Sequence, residues 1–462
     1  LSTLYLDQNN IKKAYIHAQK TINLEQNNAK AYVNMGKIER LKGDLDKANS
    51  YLIKAIEIDK NLSIAYLNLG GVLREQNKIE EAEIATKEAI KLNSNSDGHY
   101  NLSGILIEQG KLKKAEEHLY KSIKIERNRT DAYFLLSNLI DIKKDDKLVK
   151  ELFKIKPKDL NTSKKINYYF TLANYYHKKE NYTEASKNLE KANNLKLKNK
   201  PSEAKQVIQT AEACMLLTQK LKPKIFNIEN KTLKIFIVGM PRCGSTLLES
   251  ILSMNEDVYD LGETNILKNS VDEWVKELKE KRKSDLSNIY KKKTAKIIAN
   301  RNLITTDKQL YNYVYVGLIA NKIEGAKIIH CKRNPFDNIL SIYKANFTKG
   351  HRYSSSLNDC SEVFLHHENI MKEYKSIYGS EIYEINYEKL VTDSETEIRK
   401  LIDWLGFEWK ESYLSPNLST RNIRTASFIQ ARSSINKRSL NGWKNYEDML
   451  KPVIEKFKAK NE

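Results

Sequence analysis

The chain has 462 residues, 40% of them hydrophobic, which is more than a single hydrophobic core usually serves. Glycine (16) and proline (7) are scarce, which argues against a disordered or collagen-like chain and favours regular, largely helical structure. The formal net charge of +20 is compatible with nucleic acid, an anionic surface, an acidic small molecule or simple lysine enrichment. Because the lysines alternate with glutamates and form no basic tail, we expect no nucleic-acid partner.

The cysteines and the apolar segments exclude several other classes of protein. No two of the four cysteines have CxxC spacing, so we expect no metal site and no disulfide framework, but reduced thiols in the cytoplasm. No run approaches the roughly 18 apolar residues of a membrane helix, so no membrane span is expected. The sequence starts at Leu1 rather than Met, and whether a signal or anchor precedes it stays open.

A repeat of 34 residues runs through the first half of the chain, where Ala31–Gly36 recurs as Ala65–Gly70 and related segments start at His99 and Tyr133. Each is followed by a turn residue and then by two small residues. The turn residues are Gly43, Asn77 and Gly110, and the small residues are Ala48, Ala82 and Ala115, then Ala55, Ala89 and Ser122. Small residues at this spacing let two antiparallel helices cross closely, and the pattern resembles the tetratricopeptide repeat.

The repeat predicts an all-α solenoid over residues 1–200. Ala14 lies 34 residues before Ala48, which makes 1–25 a truncated first unit, and the pattern returns at Ala173 after a degenerate stretch at 140–162. Such a solenoid has a concave face, which either binds a peptide or protein partner or serves as a scaffold or homodimer surface. A helix at about 202–220, within a linker over 201–224, is expected to cap the repeats.

The second predicted domain, 225–462, opens on a strand and a glycine loop. The apolar run 233–238 predicts a buried parallel strand, and it leads into the loop 239–246 and an amphipathic helix. Backbone N–H groups at a helix N-terminus suit a phosphate-like anion. The loop has Walker Gly-x4-Gly spacing, but Ser245 stands where a nucleotide triphosphatase needs Lys, so ATP hydrolysis is a poor fit. Arg242 supplies a planar guanidinium instead.

A second central strand is predicted at 326–333, followed by a helix at 338–347. Arg333 then lies at the carboxyl end of a strand, where open α/β sheets bind their ligands. Ser341 lies about two turns along the helix and would point the same way. A lone hydroxyl there would bond its own helix backbone, but together with Arg333 it predicts a site for a second, separate phosphate.

With both motifs present, residues 225–455 resemble the sulfotransferases that use 3′-phosphoadenosine-5′-phosphosulfate (PAPS). They look most like the tyrosylprotein sulfotransferase-like branch, whose bacterial members often carry tetratricopeptide repeats. Phe236–Thr246 resembles the family's 5′-phosphosulfate loop and Arg333–Ser341 its 3′-phosphate motif. Glu381–Val391 resembles the strand whose tyrosine lies by the adenine, and 425–443 resembles the C-terminal segment that closes over the nucleotide. The resemblance implies an α/β fold with a P-loop-like, doubly wound parallel sheet, PAPS as donor, the bisphosphate PAP as product, and no metal.

The resemblance also implies which residues hold the donor. They are Arg242, Cys243, Gly244, Ser245, Thr246, Leu247, Arg333, Ser341, Tyr387, Ser427 and Arg432. Two positions depart from the family pattern. Cys243 replaces the usual loop Ser, which is tolerable where the loop binds through its backbone. Asp307-Lys308-Gln309-Leu310 stands in place of Asp-Lys-x-Pro, which weakens the assignment of Lys308.

Three residues are the candidates for catalysis. Sulfuryl transfer needs positioning, charge stabilisation and a base for the acceptor hydroxyl. Gly262-Glu263, about two turns beyond the loop helix, matches the family's Gly-Glu position, where the Glu is that base. Arg242, with Lys308, would stabilise the sulfuryl oxygens and the leaving phosphate. The histidines His330, His366 and His367 are interpreted as structural or surface residues.

The residues leave the acceptor and two other functions open. The branch implies a peptide tyrosine, but a glycan or small-molecule hydroxyl suits the same residues. A different class of function is a partner-binding repeat protein with a nucleotide-sensing or inactive second domain. A P-loop kinase is disfavoured, because Lys is missing at position 245 and no Walker B carboxylate is evident.

Overall fold

The computed structural model describes residues 1–141, 147–219, 221, 233–298, 303–347, 350–419, 421 and 431–461. By their contacts these residues divide into two compact units, Leu1–Thr171 and Leu172–Glu462. The domain limits expected from the sequence, 1–200, 201–224 and 225–462, remain predictions. Within the described residues, no helix combines the length and apolar character that crossing a membrane requires.

The described residues up to 219 lie mostly in α-helices that follow one another along the chain. They are α1 (Ser2–Asp7), α2 (Ile11–Leu24), α3 (Ala29–Lys42), α4 (Leu45–Ile58), α5 (Ser63–Glu75), α6 (Ile79–Leu92), α7 (Ser96–Glu108), α8 (Leu112–Ile125), α9 (Thr130–Leu139), α10 (Lys147–Phe153), α11 (Thr162–Lys178), α12 (Tyr182–Asn199) and α13 (Ala204–Gln219). The predicted helical repeats are confirmed, since α3 to α8 form three successive pairs with the expected period.

The turns inside the repeats depend on one left-handed residue each. Gly43, Asn77 and Gly110 have φ values of +87°, +63° and +78°, at the position where the sequence predicts a turn. Only glycine adopts this conformation without strain, and asparagine tolerates it better than most residues. After Gly43, the Asp44 side chain accepts a hydrogen bond from the N–H of Lys47 and so caps α4. The left-handed turn precedes each second helix, and at α4 the side-chain cap also marks where the helix begins.

The small residues of the repeat lie where the two helices of a pair meet. Ala48, Ala82 and Ala115 have no exposed surface. The first helices approach just as closely. A Cβ added to Gly36 would lie 2.6 Å from Cγ of Leu52, and one added to Gly70 would lie 2.3 Å from Oγ1 of Thr86. Close backbone approach therefore explains the small residues.

The second unit contains a five-stranded sheet, and all its strands are parallel. The strands are β1 (Lys234–Gly239), β2 (Val258–Asp260), β3 (Ile304–Asp307), β4 (Ala326–Lys332) and β5 (Ile382–Asn386), in the order β2-β3-β1-β4-β5. The predicted doubly wound α/β fold is confirmed, because helices cover both faces. The strand residues alternate between two cores, with Phe236 and Val238 on one face and Ile235 and Ile237 on the other.

Nine helices in the described part of the chain accompany the sheet. They are α14 (Ser245–Leu252), α15 (Ile266–Lys279), α16 (Leu286–Ile297), α17 (Val316–Lys322), α18 (Pro335–Tyr343), α19 (Leu357–Ile377), α20 (Tyr387–Thr392), α21 (Ser394–Leu405) and α22 (Glu447–Asn461). The core on the α19 side of the sheet also includes Ala211 and Met215 of α13. By its packing, α13 is part of the α/β unit.

Two boundaries differ from the sequence-based expectations, and capping residues explain both. The helix expected at 338–347 begins at Pro335, because the Asn334 side chain accepts hydrogen bonds from the N–H groups of Phe336 and Asp337. The strand expected across 381–391 ends at Asn386, whose side chain caps α20. Tyr387 is therefore the first residue of a helix, and the expectation that it lies on the strand was wrong.

The sheet order brings the candidate site together. β1 lies between β3 and β4, so the carboxyl ends of these strands deliver the glycine loop, Asp307-Lys308 and Arg333 side by side. The segment between α14 and Glu263 contains the short strand β2, which pairs with β3. The N–H of Lys308 donates to the carbonyl of Gly262 at 3.0 Å, which extends this pairing to Glu263.

Candidate active site

The glycine loop owes its shape to three residues with positive φ. Gly239, Arg242 and Gly244 have φ values of +149°, +68° and +99°. A Cβ on Gly239 would lie 2.7 Å from the carbonyl oxygen of Cys331, and one on Gly244 would lie 2.4 Å from the ring of Tyr387. Both glycines are therefore required by close approach as well as by conformation. Gly244 is the N-cap of α14, so the loop N–H groups gather at a helix N-terminus.

The two sequence motifs meet at Arg242. Its Nε donates to Oγ of Ser341 at 3.1 Å, which joins the loop to α18. Nη1 of Arg333 donates to the carbonyl oxygen of Arg242 at 2.8 Å, and its Nη2 donates to the carbonyl of Ser439 at 2.9 Å. Ser341 thus bonds to Arg242, and Arg242 in turn bonds to Arg333, so the three residues form one cluster in which Arg242 is the central member.

Three cationic groups gather around the loop. Burial, together with the nearby guanidinium of Arg333, lowers the pKa of Arg242 to about 10. Burial also lowers the pKa of Lys344 to about 7, and the charge of Arg242 contributes. Lys344 directly follows α18, and no sequence motif indicated that it belongs to the site. Like charges held this close are unfavourable unless an anion lies between them, so the cluster suits an anionic ligand.

Aromatic groups and unpaired donors complete this side of the site. The Arg333 guanidinium lies 4.7 Å from the centroid of the Tyr387 ring. Nε of Arg333 and Nε1 of Trp443 are buried donors without a hydrogen-bond partner among the described residues. Asp337 accepts hydrogen bonds from the N–H groups of Asn441 (2.8 Å) and Trp443 (2.9 Å), which holds the C-terminal segment against α18. Buried donors of this kind, next to a cation cluster, are groups whose hydrogen bonds an anionic ligand would satisfy.

Glu263 and Lys308 form the second half of the site. Nζ of Lys308 lies 2.7 Å from Oε1 of Glu263 and 3.7 Å from Oε2 of the buried Glu249. Lys308 is wholly buried, whereas the Glu263 side chain is 43% exposed and accessible to a substrate. The guanidinium of Arg421 pairs with Glu249 at 3.0 Å and with Asp260 at 2.6 Å. This chain of alternating charges fixes Lys308 under Glu263.

The charge states in this network follow from burial and neighbours. Burial by itself lowers the pKa of Lys308, but the carboxylates of Glu249 and Glu263 outweigh it, so the pKa is raised and the ammonium stays charged. Burial raises the pKa of Asp307 to about 7, although its carboxylate accepts hydrogen bonds from Tyr290 and Asn312 at 3.0 Å. Glu249, Asp260 and Arg421 were missed by the sequence analysis. A buried glutamate in the apolar helix α14 was the one available signal.

The remaining predicted donor-binding residues have different placements. Ser245 and Thr246 are buried at the start of α14, and Leu247 is half-buried beside them. The neighbouring thiol of Cys243, together with burial, raises the pKa of Cys331 well above its usual range. Arg432 donates to the carbonyls of Ser419 (2.7 Å) and Arg421 (2.6 Å). Ser427 lies outside the described residues.

An aromatic surface lies near Glu263. The His351 ring stacks on Tyr311 with centroids 5.0 Å apart, and its Nδ1 lies 2.9 Å from the Tyr311 hydroxyl. The centroid of the Phe347 ring lies 4.6 Å from that of His351. Burial lowers the pKa of His351, and the nearby Glu263 carboxylate opposes this effect. The exposed carboxylate therefore has flat apolar groups in its vicinity.

Comparison with known proteins agrees with this arrangement. Residues 234–411 match the sulfotransferase family, and residues 29–62, 64–96, 96–129 and 166–199 match the tetratricopeptide repeat. The chain therefore carries a sulfotransferase-family domain behind tetratricopeptide repeats. The finer assignment to the tyrosylprotein sulfotransferase-like branch is not shown by these matches.

Several individual proteins are similar to parts of the chain. An uncharacterized protein of Aquifex aeolicus (strain VF5) is 32% identical over 241 residues, which are 48% of this chain and 32% of that protein. The chain thus matches about a third of the length of this curated relative. The sulfotransferase domain from the Synechococcus PCC 7002 olefin synthase is 18% identical, with 48% of this chain and 91% of that one covered and a TM-score of 0.36. The tetratricopeptide protein YrrB is 22% identical, with 38% and 91% covered and a TM-score of 0.30.

Proposed function

We propose that this protein transfers the sulfuryl group of PAPS to an acceptor hydroxyl. The observation that carries the proposal is the meeting of Arg242, Arg333 and Ser341 at the carboxyl ends of β1 and β4, with the exposed carboxylate of Glu263 at the end of β2. Two neighbouring guanidinium groups from different elements suit a ligand with two anionic groups, and a carboxylate beside them suits proton abstraction from a hydroxyl.

The residues gathered at this site support PAPS as the donor. The N–H groups at the start of α14 and the Arg242 guanidinium would hold the 5′-phosphosulfate, and Arg333 with Ser341 would hold the 3′-phosphate. Tyr387, stacked against Gly244, is the candidate adenine neighbour. The unpaired donors of Arg333 and Trp443 support an anion at this place. Ser427 and Arg432 remain proposed donor contacts. When bound, PAPS supplies an activated sulfuryl group.

Glu263 is the proposed base, and Lys308 is the group that orients it. The acceptor hydroxyl would give its proton to the exposed oxygen of Glu263, while Lys308 holds the other side of the carboxylate from below. Arg242 would stabilise the charge on the transferring group and on the leaving phosphate. We propose no metal for this step, because the guanidinium and ammonium groups supply positive charge on both sides of it.

For the acceptor, we propose the phenolic hydroxyl of a peptide tyrosine. The aromatic surface of His351, Tyr311 and Phe347 near Glu263 would stack a phenol ring better than a sugar hydroxyl. The repeats would bind the peptide or a protein partner, or form a homodimer. A glycan or small-molecule hydroxyl is the alternative acceptor. The free thiols would suit a cytoplasmic location.

Calorimetry with adenosine 3′,5′-bisphosphate and with ATP tests donor binding. We expect the bisphosphate to bind and ATP to bind much more weakly. Replacing Arg333 by Met should weaken the bisphosphate at least about tenfold, since a lost charged hydrogen bond costs about 1.5–3 kcal/mol, and should leave AMP binding unchanged. Arg282→Met, at an exposed position outside both donor motifs and the C-terminal segment, is the matched control. Tight binding of ATP without binding of the bisphosphate would overturn the proposal in favour of a kinase.

Transfer of labelled sulfate tests the acceptor. The chain and labelled PAPS are added to tyrosine-containing peptides, to the same peptides with Tyr→Phe, and to glycans and small phenols. Label that appears only in the tyrosine peptides supports the proposed acceptor. Label in glycans or small molecules alone contradicts it but keeps sulfuryl transfer.

A further inference from the structure

Two histidines and a glutamate form a cluster on the face of the sheet that α19 covers. His330 lies on β4, and His367 and Glu368 lie on α19. One possible ligand atom from each lies within 4.8 Å of the other two. Ligands of one first-row cation lie about 3–3.5 Å apart, given metal–ligand distances of about 2.0–2.2 Å. Small side-chain rotations would therefore bring these three atoms around one ion.

The imidazole rings of His330 and His367 are buried, and their nitrogens lack hydrogen-bond partners among the described residues. Each histidine is only 1% exposed, and neither Nδ1 nor Nε2 of either ring has a hydrogen-bond partner among the described residues. Nδ1 of His330 lies 3.4 Å from Oε1 of Glu384, and Nδ1 of His367 lies 3.5 Å from Oε1 of Glu368. These are ion-pair distances that lack hydrogen-bond geometry. Four unsatisfied nitrogens in a protein interior are unfavourable, and a metal ion would satisfy two of them.

The charges around the rings favour a cation. Glu368 and Glu384 are two carboxylates, and among the described lysines and arginines only Lys332 pairs with them, at 4.0 and 3.4 Å. The formal charge of this group is therefore negative when the imidazoles are neutral. Glu384 lies beside His330 Nδ1, where metal sites commonly have a carboxylate that orients the ligand histidine. Two neutral imidazoles with one carboxylate are ligands that zinc and related metals prefer.

The cluster is accessible from solvent, and packing limits its rings to small rotations. Glu368 and Glu384 are 33% and 38% exposed, so an ion can reach the buried rings past them. The His367 ring packs edge-on against Tyr313 with centroids 4.7 Å apart, and the two histidine rings lie 5.0 Å apart. Rings fixed in this way lose little freedom when they bind a metal.

We propose that His330, His367 and Glu368 bind one divalent first-row transition metal ion, zinc being the best match. The ion would link β4 to α19 three residues before Arg333, and water would complete its coordination. This site is separate from the catalytic residues proposed above, and its existence does not depend on the acceptor or the donor.

Metal titration of the untagged full chain tests the proposal. After treatment with a chelator and dialysis, Co²⁺ is added and followed by its visible absorption, and Zn²⁺ is then added in competition. We expect one equivalent of Co²⁺ to give a spectrum of nitrogen and oxygen ligands, and one equivalent of Zn²⁺ to abolish it. Zinc should also raise the melting temperature of the wild-type chain.

Single substitutions decide whether these residues are the ligands. His367→Gln and Glu368→Gln should each lower the affinity at least 10–100-fold and remove the rise in melting temperature. The control is His366→Gln, because His366 is the neighbouring residue but faces Glu212 of α13 at 3.4 Å. Glu368 is partly exposed, so its variant should fold even where loss of a buried histidine prevents folding. Absence of stoichiometric binding, or binding that survives both ligand substitutions, would overturn the proposal.

Discussion

Glu263 and Lys308 differ in what each contributes, because one is exposed and the other is fully buried. Replacing Glu263 by Gln removes the proposed base but leaves an amide oxygen that can accept the hydrogen bond from Lys308. We expect turnover of labelled PAPS to fall about 10²–10⁴-fold, with little change in the free energy of unfolding. Steady-state kinetics and urea unfolding on the same variant check both parts. Unchanged turnover would remove the base assignment.

Replacing Lys308 by Met should lower both the turnover of labelled PAPS and the free energy of unfolding. The substitution leaves the buried carboxylate of Glu249 with Arg421 alone and leaves Glu263 without its anchor. Removing one partner of a buried ion pair costs about 3–5 kcal/mol, and the remaining Arg421 should keep the loss below that. Urea unfolding measures the loss. A variant with normal stability and normal turnover would contradict the role given to Lys308.

Lys344 gives the donor site a measurable proton uptake. Its pKa of about 7 means that the amine is mostly neutral at pH 8, and an anion bound near it favours the charged form. Binding of adenosine 3′,5′-bisphosphate at pH 8 should therefore take up protons, and binding should tighten as the pH falls. Calorimetry in buffers of different ionisation enthalpy detects the uptake. Lys344→Met should abolish it, and equal uptake by wild type and variant would contradict this assignment.

At the scale of elements, the adjacent glycines Gly70 and Gly71 of α5 allow the effect of helix packing on stability to be distinguished from that of helix propensity. A Cβ on Gly70 would lie 2.3 Å from Thr86 Oγ1 and 3.2 Å from the carbonyl of Ala82. On Gly71 it would meet only the movable end of Arg40, at 3.0 Å. Gly70→Ala should destabilise by about 1–3 kcal/mol, whereas Gly71→Ala should be near neutral, because helix propensity gains up to about 1 kcal/mol. Urea unfolding followed by circular dichroism compares them, and equal effects would contradict the close crossing.

The helix pair α7 and α8 contains a pH-sensitive contact. Nδ1 of His99 lies 2.8 Å from Nδ1 of His118, and burial, reinforced by His99, lowers the pKa of His118 to about 4. The unfolded chain takes up this proton near pH 6.5 and the folded chain only near pH 4. Stability is therefore present above pH 6.5 and lost as the pH falls from 6.5 towards 4. His118→Gln should flatten this dependence in melting curves between pH 8 and pH 5. A pH dependence of the melting temperature as steep as that of the wild type would contradict the role given to His118.

At the scale of the whole molecule, the tryptophans report on one unit only. All four, Trp274, Trp404, Trp409 and Trp443, lie in Leu172–Glu462, whereas both units contain helix. Each unit has its own buried core, so each can unfold as its own cooperative transition.

Gly70→Ala should therefore shift the urea transition seen by circular dichroism and leave the transition seen by tryptophan fluorescence in place. Adenosine 3′,5′-bisphosphate at 100 times its dissociation constant should do the reverse, and stabilise the fluorescence transition by about 2.7 kcal/mol. Transitions that always move together would show that the chain unfolds as one unit.

The sequence by itself determined those features that depend on local chain geometry. The 34-residue period, the left-handed turn residues Gly43, Asn77 and Gly110, and the loop between β1 and α14 could all be predicted, because helix crossing, positive φ and helix N-termini have local residue requirements. Arg333 and Ser341 could be assigned to one site, since strand carboxyl ends meet at one edge of a parallel sheet.

Only the tertiary structure decided which distant residues share a charge or a proton. Lys308 could be identified from the sequence as a candidate, but its ion-pair partners could not. Glu249 and Glu263 lie 59 and 45 residues away, and Arg421 joins Glu249 from a separate segment. The histidines His330 and His367, interpreted from the sequence as structural or surface residues, are buried together because β4 and α19 pack face to face. Pairings of this kind depend on strand order and helix packing, which no local pattern encodes.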